Sequence, residues 1–280
     1  MKTSMKILSL LVMLFLVASV FWRRDANYYF NSARAKFNKG DLDGAFADCS
    51  KAIELNKNFV DAYIDRGSLE LDKGDLNGAL ADFNKAIELK PDLPLAYANR
   101  AAIEKSRGDW NAAQTDYNEA IKLTPDDARI YYNRGDFELS RGDLDGAITD
   151  DTKAIELKPD FAEAYYDRGC AKFNKVNLDG ALLDFNKAIE LKPDYADAYG
   201  NRGAVELNKS ELDKALADFN KAIELEPNGA MNYANRGVVQ YRKNDLKDAQ
   251  ANFKKAIELN PALQASIEAK GYLTNGTNSN

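Results

Sequence analysis

The sequence predicts an all-α fold, an α-solenoid of stacked helix pairs preceded by an N-terminal hydrophobic helix. Three observations predict it. The phrase KAIEL begins at Lys51, Lys85, Lys153, Lys187, Lys221 and Lys255, and EAIKL begins at Glu119, so every interval is 34 residues. Inside one interval the apolar residues recur at helical spacing on either side of a Gly-Asp turn. The first apolar run of the chain, Ile7 to Trp22, carries no charge and lies outside the repeating region. A fixed period of this length marks units that bury their apolar faces by stacking on their neighbours.

The N-terminal segment, residues 1–25, is read as a signal peptide or signal anchor. Lys2 and Lys6 precede the apolar run, and Arg23 and Arg24 follow it. A basic start before an apolar stretch suits export. Val17-Ala18-Ser19 offers small residues but no clear A-x-A cleavage site. The run is short against the roughly 17–25 residues of a bilayer span. Its bulky Phe21-Trp22 end and the arginines after it suit an anchor at the interface. The expectation is a chain anchored in the membrane by residues 7–22, with the repeats outside the cytoplasm. The alternative is an exported soluble protein after cleavage.

The unit Val60 to Leu93 shows how the repeat is built. Tyr63, Gly67 and Leu71 fall on one face of a first helix, which Lys73-Gly74-Asp75 breaks. Ala79, Phe83 and Ala86 follow at i, i+4 and i+7 on a second helix, ended by Pro91-Asp92. The glycine suits a left-handed C-cap and the aspartate an N-cap. The same pattern gives seven units, at residues 26–59, 60–93, 94–127, 128–161, 162–195, 196–229 and 230–263. Residues 264–280 are expected to form a short capping helix and a disordered tail. In that helix Ile267 faces inward and Gln264, Glu268 and Lys270 face outward.

Counting each unit from 1, position 4 is Tyr29, Tyr63, Tyr97, Tyr131, Tyr165, Tyr199 and Tyr233. Position 8 is Ala33, Gly67, Ala101, Gly135, Gly169, Gly203 and Gly237. Positions 20 and 27 are alanine throughout, and position 32 is proline in all units but the first, which has Lys57. These residues resemble the tetratricopeptide repeat family over most of the chain. The resemblance implies a right-handed superhelix whose concave wall is formed by the first helix of each unit. It also implies a non-catalytic role in binding proteins or peptides.

Positions 2, 5, 9, 12 and 13 would face that wall. The candidate binding residues are Tyr132, Asp136, Leu139, Glu163, Tyr166 and Phe173 in repeats four and five. Phe30, Phe37, Ile64, Leu71 and Tyr241 extend the set to repeats one, two and seven. Rings, aliphatics and acids in this mixture suit an apolar peptide carrying Lys or Arg. Some rings would instead pack against a neighbouring helix. Some family members clamp acidic chaperone tails with Lys at position 5 and Asn at position 9. Position 5 here is Phe30, Ile64, Ala98, Tyr132, Tyr166, Gly200 or Ala234, and position 9 is never Asn, so the clamp is not expected.

Composition points the same way. A net charge of −6 argues against a nucleic-acid partner, which needs a basic face. With no histidine and two cysteines, the chain lacks the commonest general acid/base and most zinc ligands. No metal, cofactor or catalytic residue is expected. Asp41-Leu42-Asp43-Gly44 and Asp143-Leu144-Asp145-Gly146 faintly suggest calcium loops but sit where a helix cap is needed. Arg at position 7, from Arg66 to Arg236, recurs with an acid at position 23, from Asp48 to Asp218. This reads as a ladder of structural ion pairs. Asp151 breaks an aromatic series at position 24 that includes Phe83, Tyr117, Phe185, Phe219 and Phe253. It is expected to be partly exposed, or else to weaken the joint between repeats four and five.

The functional expectation is a peptide-binding scaffold of the cell envelope. The alternatives are a self-assembling structural protein and an accessory subunit of an envelope enzyme or secretion complex.

Overall fold

The computed structural model describes residues 24–273. The expected hydrophobic helix over residues 7–22 and the expected tail over 275–280 lie outside the described residues. Among the described residues there are fifteen α-helices, one 3-10 turn and no strand. They form two compact units, one within Met1–Pro125 and one within Asp126–Asn280.

The first unit holds α1 (Ala26–Phe37), α2 (Leu42–Leu55), α3 (Val60–Asp72), α4 (Leu76–Leu89), α5 (Pro94–Arg107) and α6 (Trp110–Leu123). The second holds α7 (Ala128–Arg141), α8 (Leu144–Leu157), α9 (Ala162–Asn174), α10 (Leu178–Leu191), α11 (Ala196–Asn208), α12 (Leu212–Leu225), α13 (Ala230–Arg242) and α14 (Leu246–Leu259). A 3-10 turn at Pro261–Leu263 and α15 (Gln264–Ala269) follow. Helices pack in pairs within each repeat, and each second helix packs on the first helix of the next repeat in the same unit.

The turns form for the reasons the sequence implies. Gly40, Gly74, Gly108 and Gly142 stand at φ near +80°, the left-handed cap that frees helix-end carbonyls to find partners. Three of the aspartates after them cap the second helices through their side chains. Asp41, Asp75 and Asp143 accept the backbone N–H of Gly44, Gly78 and Gly146 at 2.9–3.0 Å, and Asn177 accepts that of Gly180 at 3.1 Å. The resemblance to calcium loops is therefore capping chemistry.

The core is made of alanines and rings. Ala79, Ala113, Ala147, Ala181 and Ala215 are fully buried, as are Phe83, Phe185, Phe219 and Phe253. Gly67, Gly169, Gly203 and Gly237 lie against those rings so closely that an added Cβ would stand 2.8–3.1 Å from them. Small residues at position 8 are thus the seats of the rings at position 24.

The arginine ladder is structural and reaches further than one pair. Arg66, Arg100, Arg134, Arg168 and Arg202 each grip the aspartate sixteen residues on through two nitrogens, at 2.5–3.0 Å. In four of them a remaining nitrogen reaches back sixteen residues to the preceding repeat. Arg66 meets Ser50 at 3.4 Å, Arg100 meets Asn84 at 2.7 Å, Arg168 meets Thr152 at 3.0 Å and Arg202 meets Asn186 at 2.7 Å. The guanidinium also lies over the position-4 ring of its own repeat, 5.3–5.8 Å from the centroid, in the pairs Arg66–Tyr63, Arg100–Tyr97, Arg168–Tyr165, Arg202–Tyr199 and Arg236–Tyr233. A planar five-donor group serves three partners at once, which a lysine could not.

The C-terminal end is closed. Ile267 is buried against Phe253 and Ala256, while Gln264, Glu268 and Lys270 face outward. Tyr272 completes the cap by stacking on Phe253 at 5.1 Å and meeting Tyr241 edge-on at 5.0 Å. Among the described residues no helix is long and apolar enough to cross a membrane.

Candidate functional site

In the second unit the first helices α7, α9, α11 and α13 touch one another in succession, more closely than the second helices do. They therefore form one wall. Repeats four and five build its densest aromatic part. Tyr132 on α7 lies 4.8 Å from Phe161, and Tyr166 on α9 lies 4.8 Å from Tyr195 and 5.9 Å from Phe185. Asn201 on α11 donates to the Tyr166 hydroxyl at 2.9 Å and to Cys170 Sγ at 3.3 Å, tying α9 to α11.

Acids surround these rings. Asp136, Glu163 and Asp167 are half-buried on the same helices. Glu163 holds Lys192 at 3.5 Å, and Lys192 also sits 4.6 Å over the Tyr195 ring. Burial, followed by the charges of Asp167 and Asp136, pushes the Tyr132 hydroxyl above its ordinary titration range. Burial also raises Tyr166, and pushes the Cys170 thiol up to about 12. The rings are therefore neutral hydrogen-bonding surfaces at physiological pH, and the site's charge comes from its carboxylates.

The other candidates divide by packing. Leu139 is half-buried, and Phe173 packs partly buried against Phe185 and Val205. Ile64 and Leu71 are partly buried in the joints of repeats one to three. Tyr241 is exposed on one side and held by Tyr272 on the other, which makes it part of the cap. Phe37 is 51% exposed. Phe30 is not surface. It is 6% exposed, lies 4.8 Å from Phe59, and carries the Arg34 guanidinium 4.5 Å over its ring. It is core because α1 leans on the start of α3.

One set of wall residues was missed. Position 34, just before the next first helix, supplies Phe59, Phe161 and Tyr195, and each packs on a position-5 ring: Phe30, Tyr132 and Tyr166. The signal is in the sequence. Repeats one, four and five have rings at both positions, whereas repeat six has Gly200 and Gly229.

Asp151 differs from expectation. It is 0% exposed, and neither carboxyl oxygen has a hydrogen-bond partner. Burial, then the charges of Asp167 and Asp150, pushes it up to about 9, so it is a neutral acid at pH 7. It lies beneath Gly135, whose added Cβ would stand 2.8 Å from its Oδ1. The joint beside it is extensive: α8 packs on α9 over more residues than the second helices do at the two following joints. Ala128, Ala154, Ile155, Phe161 and Ala164 fill that joint, and Tyr131, Tyr132 and Tyr165 cover it.

Among the described residues no group of three or more potential ligands could hold a metal ion. Tetratricopeptide repeat models match residues 26–59, 162–195 and 232–263, and a further one matches residues 196–228. A TPR repeat model matches residues 67–103, 102–137 and 135–176. The chain belongs to the tetratricopeptide repeat family. The fold of such a repeat protein typically serves protein–protein interaction. No curated protein matches the sequence. Among solved structures, the repeat chain is similar to YrrB, described as a TPR protein with an unusual peptide-binding site. The identity is 28%, over 66% of this chain and 95% of that one, with a TM-score of 0.55. MamA is 29% identical over 61% of this chain and 96% of its own, with a TM-score of 0.53. The Pseudomonas aeruginosa pilF structure, at 18% identity, covers 76% of this chain and 97% of its own with a TM-score of 0.69, which shows the fold alone.

Proposed function

We propose that this tetratricopeptide repeat protein is a non-catalytic scaffold of the cell envelope that holds peptide segments against the first-helix wall of repeats four and five. The observation that carries this reading is the joint presence of half-buried rings and carboxylates on α7 and α9. Tyr132 and Tyr166 supply rigid amphipathic surface, and Asp136, Glu163 and Asp167 supply negative charge beside it. An apolar segment with Lys or Arg satisfies both. The peptide-binding site named for YrrB supports the same use of the fold. Ile267 and Tyr272 cover the outer face of the last repeat, which supports a scaffold over stacking of further copies on that face.

Selection of a displayed library of random twelve-residue peptides on the full-length chain tests this. Enriched sequences should combine apolar and basic residues, and Glu163→Lys or Tyr166→Ala should weaken them at least fivefold with the helical signal unchanged. Enriched peptides that bind both variants as well as wild type would overturn the assignment.

The envelope part of the proposal rests on the uncharged run over residues 7–22, flanked by Lys2, Lys6, Arg23 and Arg24. An intact N-terminus in the membrane fraction, read by mass spectrometry, is the expected result for an anchor. A soluble chain that begins near Val20 would make it a cleaved export signal.

A further inference from the structure

The ring at position 24 has a constant setting. Phe83 is packed with Ala79, Ile103 and Leu71; Phe185 with Ala181, Val205 and Phe173; Phe219 with Ala215, Val239 and Leu207. In repeat terms these are positions 20 and 12 of the same repeat and position 10 of the next. In repeat one those places are taken by Ala45, Phe37 and Leu69, but position 24 is Cys49. The ring is missing, and Ala33 stands at position 8 where repeats two, five and six have glycine. In the ring's place the structure has a cleft of about 370 Å3, lined by Ala33, Phe37, Ala45, Cys49 and Leu69. That volume lies near the lower end of the roughly 300–1,000 Å3 of small-ligand sites.

The cleft opens toward wall positions. Arg34, Phe37 and Asn38 at positions 9, 12 and 13 of repeat one, with Asp65 and Ser68 of repeat two, complete its lining. Arg34 and Asp65 pair at 3.0 Å at the rim, and Asp61 is exposed one helical turn before Asp65. The rim therefore carries one cation and two anions. Phe37, 51% exposed, offers an apolar lip.

We propose that this cleft is a receptor for one aromatic side chain of a bound peptide, flanked by a basic residue. The ligand's ring would occupy the seat that repeats two, five and six fill with their own phenylalanines, and the flanking cation would meet Asp61 and Asp65. The ligand class rests on the peptide-binding reading above, but the location is separate, since every lining residue belongs to repeats one and two. A ring entering the cleft gains burial of its own surface and of Phe37, the exposed wall, since Ala33, Ala45, Cys49 and Leu69 are already covered.

The probe that tests it is N-acetyl-4-fluoro-L-phenylalaninamide, followed by 19F NMR with the full-length chain. Wild type should broaden and shift the probe signal, and Cys49→Phe, which supplies the missing ring in cis, should weaken this at least tenfold. Cys49→Phe should keep its helical signal and melt no earlier than wild type. If the added ring proves strained, Ala33→Gly with Cys49→Phe recreates the glycine-under-ring pair of Gly67 and Phe83 and carries the same test. A probe that ignores wild type, or that binds wild type and a folded ring-filled variant equally, would overturn the proposal. Library peptides that still depend on Tyr166 would then leave the scaffold reading standing without this pocket.

Discussion

At the residue scale the exceptions to the repeat are more informative than its constants. Asp151 stands out in the sequence because its neighbours in register are rings. Its depth does not, because burial at position 24 is set by Gly135 above it and by the following repeat, which no local pattern describes. The sign of its effect follows from its titration. The ordinary carboxyl value is 3.8, and in the fold Asp151 is pushed up to about 9. Its proton is bound more tightly in the folded chain, so the stability it allows is full below about pH 4 and is lost as pH rises through 9. Glu70, Glu104 and Glu206, each raised to about 7 by burial and then by an adjacent aspartate, add a loss between their ordinary 4.5 and pH 7. Urea midpoints should therefore fall from pH 5 to pH 9. Asp151→Asn should flatten the part between pH 7 and 9, and an unchanged slope there would show that Asp151 is ionised in the fold.

Val176 is the second exception. It occupies the left-handed turn at φ 61°, where the first four repeats use glycine, and its side chain is 76% exposed. A β-branched residue gains nothing from this exposed turn and is strained in it. Val176→Gly should raise stability by about 1 kcal/mol, measured by chemical denaturation. A loss of stability would mean that the turn tolerates valine without strain.

At the element scale the pairing of helices was legible almost throughout. The break at Gly-Asp, the caps and the 34-residue interval all appear where local chemistry requires them. The partners of each arginine were half legible. Its ion pair to position 23 follows from recurrence, but its reach back to the preceding repeat and over the position-4 ring depends on how helices cross. The ladder is thus a fastening between successive helix pairs. Arg202→Ala would leave Asp218 buried without its cation and should cost about 3 kcal/mol. Arg202→Lys should recover only part of this, because it cannot grip Asp218, Asn186 and Tyr199 together. Full recovery by lysine in a thermal melt would reduce the fastening to simple charge. Repeat seven carries a neutral version, in which Arg236 holds Asn252 at 2.7 Å and Asn252 donates to Gln240 at 2.6 Å. The last pair thereby avoids the buried acids of earlier repeats.

At the scale of the whole molecule, the sequence specifies seven near-equal helix pairs, and the proposed binding site lies where they are unequal. Rings at positions 5 and 34 coincide in repeats one, four and five, but the position-5 ring is buried in repeat one, as Phe30, and half-buried in repeats four and five, as Tyr132 and Tyr166. Sequence reasoning named Tyr132, Tyr166 and Glu163 for the first-helix wall, and the structure holds them half-buried on α7 and α9. It misjudged Phe30, because exposure at position 5 depends on the ring at position 34 and on how the following helix leans. The missing ring at Cys49 was visible as a deviation, but only packing turns it into a cleft. The central claim is that the first helices of repeats four and five hold the partner. Hydrogen exchange of the full-length chain, with and without one library-selected peptide, tests it most directly. Slowed exchange over α7 and α9, with α8 and α10 unchanged, is the predicted result. Protection confined to the second helices, or absent from Tyr132 to Phe173, would contradict it.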